Sequence, residues 1–174
     1  YVNPMLGTAT LWDSVDLGFK PTKRTWGAEV FPGSSLPNAM VQVSPVTKFH
    51  SGAGYQYEDS VIYGFTHTNK GHWNLCHIPL LPVTGTPTPG DYCSPFSHER
   101  ESAAPGYYQV FLDRYGVDAQ LSSTLRCAFH KYTYPAGAAP AVLADLQRSN
   151  EHVRAWDIRK EGDNVFAGWQ QTGE

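Results

Sequence analysis

Charge is scarce in this chain: aspartate, glutamate, lysine and arginine together make up 17% of its 174 residues. The formal net charge is -3 and no basic run stands out, so nothing favours a nucleic-acid partner. No apolar run approaches the ~20 residues that a membrane-spanning helix needs, so no membrane span is expected. No helix of ordinary length shows in the hydrophobic periodicity, and no repeat of ~20–50 residues is visible. Cysteine is limited to Cys76, Cys93 and Cys127. Their spacing lacks CxxC, which disfavours a zinc site. One disulfide with one free thiol, or three buried free thiols, both fit, and the second is the plainer reading. No signal peptide precedes Tyr1, so a mature or trimmed fragment is expected.

Aromatics are abundant at 13%, and 16 glycines and 13 prolines punctuate the chain. Many aromatics and frequent turns favour an all-β domain, and the length suffices for one domain with a sizeable core. Residues 1–8 read as a short extended segment. Thr10 to Glu29 reads as a long loop carrying Trp12, Asp13, Asp16 and Trp26, and long ordered loops tend to be functional. The acidic residues there read as solvated loop charges rather than a catalytic pair. Phe31-Pro32-Gly33 reads as a turn whose glycine lets a neighbour approach closely.

Strands are expected at 38–44, ended by Pro45, at 60–65, and at 78–83. In the last of these, Pro79 and Pro82 argue for an edge or bulged strand. The clearest signal is a hairpin: GYYQVFLD (106–113), a turn at 114–116, then Val117, Ala119 and Leu121 on one face with Asp118 and Gln120 on the other. Residues 125–134 read as its next strand, 141–146 as a buried strand, and 150–156 as a strand or short helical turn. A turn is expected at Gly162–Asp163 and a last strand from Val165. The whole reads as an antiparallel β-sandwich. Because the final strand lies so near Glu174, the sandwich is expected to be truncated at its C-terminal end.

The stretch Gly54 to Gly85 concentrates polar and aromatic groups: His67, His72, Trp73, Asn74 and His77. The three histidines lack a helical i, i+4 pairing or a cysteine partner, so ordinary hydrogen bonding is the expected role, not metal binding. Trp73 is either a core plug or a flat apolar face for a pyranose, with His72 and Asn74 as flanking polar groups. His98-Glu99 and His130 read as structural hydrogen-bonding residues.

Four collinear segments then carry a family resemblance. VNPMLGT, FPGSSLPNAMVQVSP, GYQYEDSVIYGFTHT and SHERESAAPGYYQVFLDRYGVDAQLSSTLRCAFHKYTYP, running from Val2 to Pro135, resemble the N-terminal domain of glycoside hydrolase family 92, the exo-acting α-mannosidases. The resemblance implies a galactose mutarotase-like supersandwich that packs on an (α/α)6-barrel catalytic domain absent from this chain. It implies an inverting, calcium-dependent glycosidase, secreted or periplasmic, that acts on mannose-containing glycans. The acid, the base and most Ca2+ contacts belong to the barrel in that family. No catalytic and no metal-ligating residue is therefore expected in residues 1–174. An inverting pair needs carboxyl groups ~6.5–9.5 Å apart to admit the attacking water.

What the family's N-terminal domain supplies is a pocket wall, including a tryptophan on the leaving sugar. Trp73 is the best match to it. His72, Asn74, Phe31, Gly33 and Trp26 complete the expected substrate-binding set. The chain departs from the family pattern in TATLWDSVDLGFKPTKRTWGAEV and in NKGHWNLCHIPLL, both on that wall. A stand-alone carbohydrate-binding sandwich without catalysis is the alternative reading.

Overall fold

The computed structural model describes residues 2–11, 14–20, 28–69 and 74–173. One short helix, α1 (Ser14–Leu17), precedes strands β1 (Ser34–Ser35), β2 (Gln42–Val46), β3 (Val61–Ile62), β4 (Gly64–Thr66) and β5 (Leu80–Thr84). Then come β6 (Ser94–Pro95), a 3-10 turn at His98–Arg100, β7 (Glu101–Ala104), β8 (Tyr107–Leu112), β9 (Val117–Ser123) and β10 (Ala128–Thr133). β11 (Pro140–Ala144), β12 (Val153–Lys160) and β13 (Phe166–Thr172) follow. Every ladder among these strands is antiparallel. The chain is all-β, as its composition indicates.

The regular half is a meander in the order β10-β9-β8-β7. Its alternation is the one written in the sequence. Tyr108, Val110 and Leu112 of β8 and Val117, Ala119 and Leu121 of β9 are all buried. Their intervening neighbours are exposed or half-buried. Gly116, with φ 66, makes the turn in a left-handed conformation that a residue with a Cβ adopts only at a cost. A second sheet, β1-β2-β4-β5-β11, faces the meander. Val43, Phe65, Leu81 and Val83 from that sheet join the meander's inner face in one core. Full burial of each such side chain contributes about 1.5–3 kcal/mol. Ser34 and Ser123, joined Oγ to Oγ at 2.7 Å, stitch β1 to β9.

Two prolines, Pro45 and Pro82, sit inside sheets against the expectation that they end or edge a strand. Pro45 lies within β2, opposite Phe65. Gln42 and Val46 make their hydrogen bonds on the β4 side, to residues 67, 69 and 63, so Pro45 turns its missing N–H to the β1 side. There β1 reaches only as far as Val43. Pro82 lies in β5, which is an interior strand between β4 and β11. Gly85 donates to Ala139 and Asp145 to Pro79, so odd-numbered residues of β5 point at β11. Pro82 therefore faces β4, whose pairing with β5 is limited to Phe65 and Leu80. Pro140 begins β11, opposite Thr84.

The single strand expected at 60–65 is two: β3 pairs with β6, and β4 with β2 and β5. Gly64 (φ 154) sits at the break, and a Cβ there would lie 2.9 Å from the Pro79 ring. The strand expected to be buried at 141–146 is β11, an outer strand whose Val142 is 52% exposed. β12 runs past the 150–156 segment expected, through the charged run to Lys160, and stops before the turn expected at Gly162–Asp163. Cys76 is buried, Cys93 half-buried and Cys127 exposed, and all three are free thiols. β12 and β13 form a two-stranded hairpin in which Trp156, Ile158, Phe166 and Trp169 remain exposed. A groove of about 450 Å³ lies between this hairpin and Leu80, Val142 and Leu146.

Candidate functional site

The segment after β4 is shaped by side chains rather than by a ladder. Thr68 accepts from the backbone of both residues that follow the loop: Cys76 N–H on its carbonyl at 3.1 Å and His77 N–H on its Oγ1 at 3.1 Å. Asn69 is fully buried. Its amide donates to Ala53 O at 3.2 Å, and its Oδ1 accepts a short hydrogen bond from Thr66. The loop between residues 69 and 74 is thus closed at its root.

On the return side the backbone is strained. Leu75, Cys76 and Ile78 have φ of 66, 55 and 47, the left-handed region. Such a conformation costs an L-residue about 1–2 kcal/mol, and a β-branched isoleucine is an outlier there. Surrounding structure must over-determine it. The determinants come from the β11–β12 connection. Asn150 N–H donates to Leu75 O at 2.9 Å, and its side-chain amide donates to Asn74 O at 3.3 Å. Glu151 Oε2 accepts from Leu75 N–H at 3.3 Å and Thr172 Oγ1 at 3.2 Å, and lies 3.1 Å from His77 Nε2. Burial alone would push the Glu151 carboxyl up, but the bonds from His77, Leu75 and Thr172 hold it below the usual range. Beneath them, Gly54 (φ 82) leaves room for Cys76: a Cβ on residue 54 would sit 2.7 Å from Sγ. Burial pushes the Cys76 thiol up to about 12, so it stays protonated and unreactive.

Two further clusters tie the sheets together. His67 Nε2 and His130 Nε2 share a hydrogen bond of 2.7 Å, one neutral ring donating and the other accepting. His130 Nδ1 lies 2.6 Å from the Tyr132 hydroxyl. Burial lowers the pKa of His67, and burial together with the charge of a protonated His67 brings His130 down to about 4. The Glu101 carboxylate, 2% exposed, accepts from the Tyr55 and Tyr108 hydroxyls and from His98 Nδ1. His98 thus bonds Glu101, while the adjacent Glu99 is exposed. One carboxylate saturated by three donors is a structural anchor, not an acid–base pair.

Of the residues expected to form a wall, Asn74 lies in the strained loop. Its Oδ1 is buried and has no hydrogen-bond partner among the described residues. Trp73, His72 and Trp26 lie outside the described residues. Gly33 serves packing: a Cβ there would fall 2.0 Å from Val43 O and 2.6 Å from Ser44 Cα. Phe31 is half-buried beside it. Asn150 and Glu151 carry no pattern that marks them, and their partners lie 74–76 positions away. Among the described residues, no group of three or more His, Cys, Asp or Glu could hold a metal ion. None of the described helices is long and apolar enough to cross a membrane.

The described residues thus form facing antiparallel sheets with a polar loop cluster at one connection. The chain belongs to glycosyl hydrolase family 92: the model of that family's N-terminal domain matches residues 1–174. The family GH92 α-mannosidase BT3965 from Bacteroides thetaiotaomicron, solved in complex with mannoimidazole, is similar in structure, with a TM-score of 0.84 and 27% identity. The similarity covers 98% of this chain and 22% of that one. The GH92 family glycosyl hydrolase ccman5 gives 0.69 and 28% identity, over 83% of this chain and 22% of that one. The inverting mannosidase BT2199 from the same Bacteroides species gives 0.66 and 27%, over 83% and 19%. This chain thus spans about a fifth of the length of these relatives. No curated protein matches it.

Proposed function

We propose that this chain is the N-terminal domain of a calcium-dependent, inverting exo-α-mannosidase. In this reading it supplies part of the substrate pocket wall and packs on a separate (α/α)6 catalytic domain. The observation that carries the reading is the backbone of residues 74–78, left-handed at three positions and pinned by Thr68, Asn150 and Glu151, within a chain of this family. Strain held by over-determined backbone is characteristic of ligand-contacting segments. Asn74 offers an amide and is the neighbour in sequence of Trp73; a polar group with an aromatic face is what a pyranose requires.

The catalytic acid, the base and Ca2+ are placed outside residues 1–174. Calcium, bound there, would act on the sugar's oxygens, while this chain's residues orient the leaving group. The partner surface is the groove face of hairpin β12–β13: exposed Trp169 and a lining without charge other than Asp157 suit a protein face. Secretion or export to the periplasm is part of the same proposal.

The test is turnover by the full-length protein. Trp73→Ala should lower the rate on an α-mannosyl disaccharide more than on an aryl α-mannoside, whereas equal losses would remove the leaving-sugar contact. A chelator should abolish activity and added Ca2+ restore it. Mannosidase activity from residues 1–174 alone would overturn the placement of the catalytic groups.

A further inference from the structure

We propose that Asn150 and Glu151 are positioning residues for the wall: they lock the backbone of residues 74–78 and thereby set where Asn74 meets the leaving sugar of an α-mannoside. The inference rests on the wall reading above.

Asn150 is 5% exposed, and its polar atoms are committed to the loops around it. Its N–H goes to Leu75 O, and its amide nitrogen to Asn74 O and Ser51 O at 3.3 and 3.0 Å. Its Oδ1 accepts from His50 N–H at 2.9 Å, and its carbonyl lies 2.9 Å from His50 Nδ1. One side chain therefore joins the 50–54 turn to the strained return of the 69–74 loop. The chemistry is specific to an amide. A carboxylate of the same size has no N–H for Asn74 O or Ser51 O and would face both carbonyls with a negative charge.

Glu151 works from the next position. Its Oε2 collects Leu75 N–H, His77 and Thr172, so both sides of Cys76 are held by one oxygen. The connector bearing the pair is itself fixed. The Arg148 guanidinium lies 5.3–5.7 Å from the Tyr63, Tyr92 and Phe49 ring centres. Ser149 Oγ donates to Glu151 O at 2.6 Å and accepts from Glu151 N–H at 3.0 Å. Left-handed φ at Leu75, Cys76 and Ile78 would relax without these bonds, and Asn74 would move with it. Around metal ions, groups that orient a ligand contribute ~10–100-fold, and an effect of the same order is expected here.

The experiment uses the full-length protein with Asn150→Asp, Glu151→Gln and, as reference, Trp73→Ala. Steady-state kinetics are measured on an α-mannosyl disaccharide and an aryl α-mannoside. Asn150→Asp should lower disaccharide kcat/KM by ~10-fold or more, chiefly through KM, and leave the aryl substrate within ~3-fold. Glu151→Gln keeps an acceptor oxygen and should shift the same ratio by a smaller factor. It also stands in should Asn150→Asp fail to fold. Equal losses on both substrates, or an unchanged ratio in Asn150→Asp and Glu151→Gln while Trp73→Ala changes it, would overturn the positioning role alone. An unchanged ratio in all three would overturn the wall reading beneath it.

Discussion

The meander β7–β10 and the loop cluster around Asn74–Ile78 are built by opposite means. In the meander each strand pairs with the next one in sequence, and alternation decides which side chains are buried. In the cluster no ladder exists, and left-handed residues are held by an asparagine and a glutamate from about 75 positions away. The first is stabilised by apolar burial that tolerates no cavity. The second is stabilised by directed bonds that hold a strained backbone in place without a core.

That contrast can be broken most forcefully in the core. Leu121→Ala in β9 should destabilise the protein by about 2–5 kcal/mol, read by denaturant unfolding with near-ultraviolet circular dichroism. A loss under 1 kcal/mol would mean that the meander is not the stabilising half. Acid should act next, at the histidine pair that ties the meander to the facing sheet. An unfolded histidine takes its proton near pH 6.5, whereas His130 in the fold resists until about 4. Between those values the unfolded chain binds more protons, so stability falls as pH drops from 6.5 to about 4, by on the order of 3 kcal/mol. His130→Gln should flatten that part of the stability-against-pH curve, and an unchanged slope would show that the His67–His130 pair does not carry it.

Gly54→Ala sharpens the comparison from the cluster's side. The new Cβ meets Cys76 Sγ in a left-handed backbone, at a cost of about 1–2 kcal/mol for conformation alone. Hydrogen exchange should speed up at residues 75–77 and stay unchanged in β8 and β9; uniform acceleration would contradict the division. Smallest should be Arg114→Ala, which removes the ion pair with a largely exposed Asp91 and is expected to leave the thermal unfolding midpoint nearly unchanged; a clear drop would show that this surface pair matters.

Strand existence was readable wherever one face is buried, because a period of two leaves a direct trace: 107–112 and 117–123 were visible as alternation. The sheet prolines misled, because a proline is excluded only where its N–H would have bonded. At Pro45 and Pro82 that side of the strand has no partner, which depends on the lengths of β1 and β4 rather than on local sequence. The break at Gly64 had no signature either, since its reason is the Pro79 ring beside it. In the candidate site, Asn74 was singled out by its neighbours in sequence, whereas Asn150 and Glu151 were not, because a buried amide shows no pattern apart from the carbonyls it meets.

The amino-acid sequence by itself determined the all-β class, the central meander and, through four ordered segments, the family. Each of these rests on local alternation, on turn residues or on residue order, which the chain carries wherever it folds. Tertiary structure alone decided which strands are interior, why Pro45 and Pro82 are tolerated in them, and how Asn150 and Glu151 hold residues 74–78. Those outcomes depend on hydrogen-bond directions and close contacts between segments far apart in the chain, and such directions exist only once the sheets have packed.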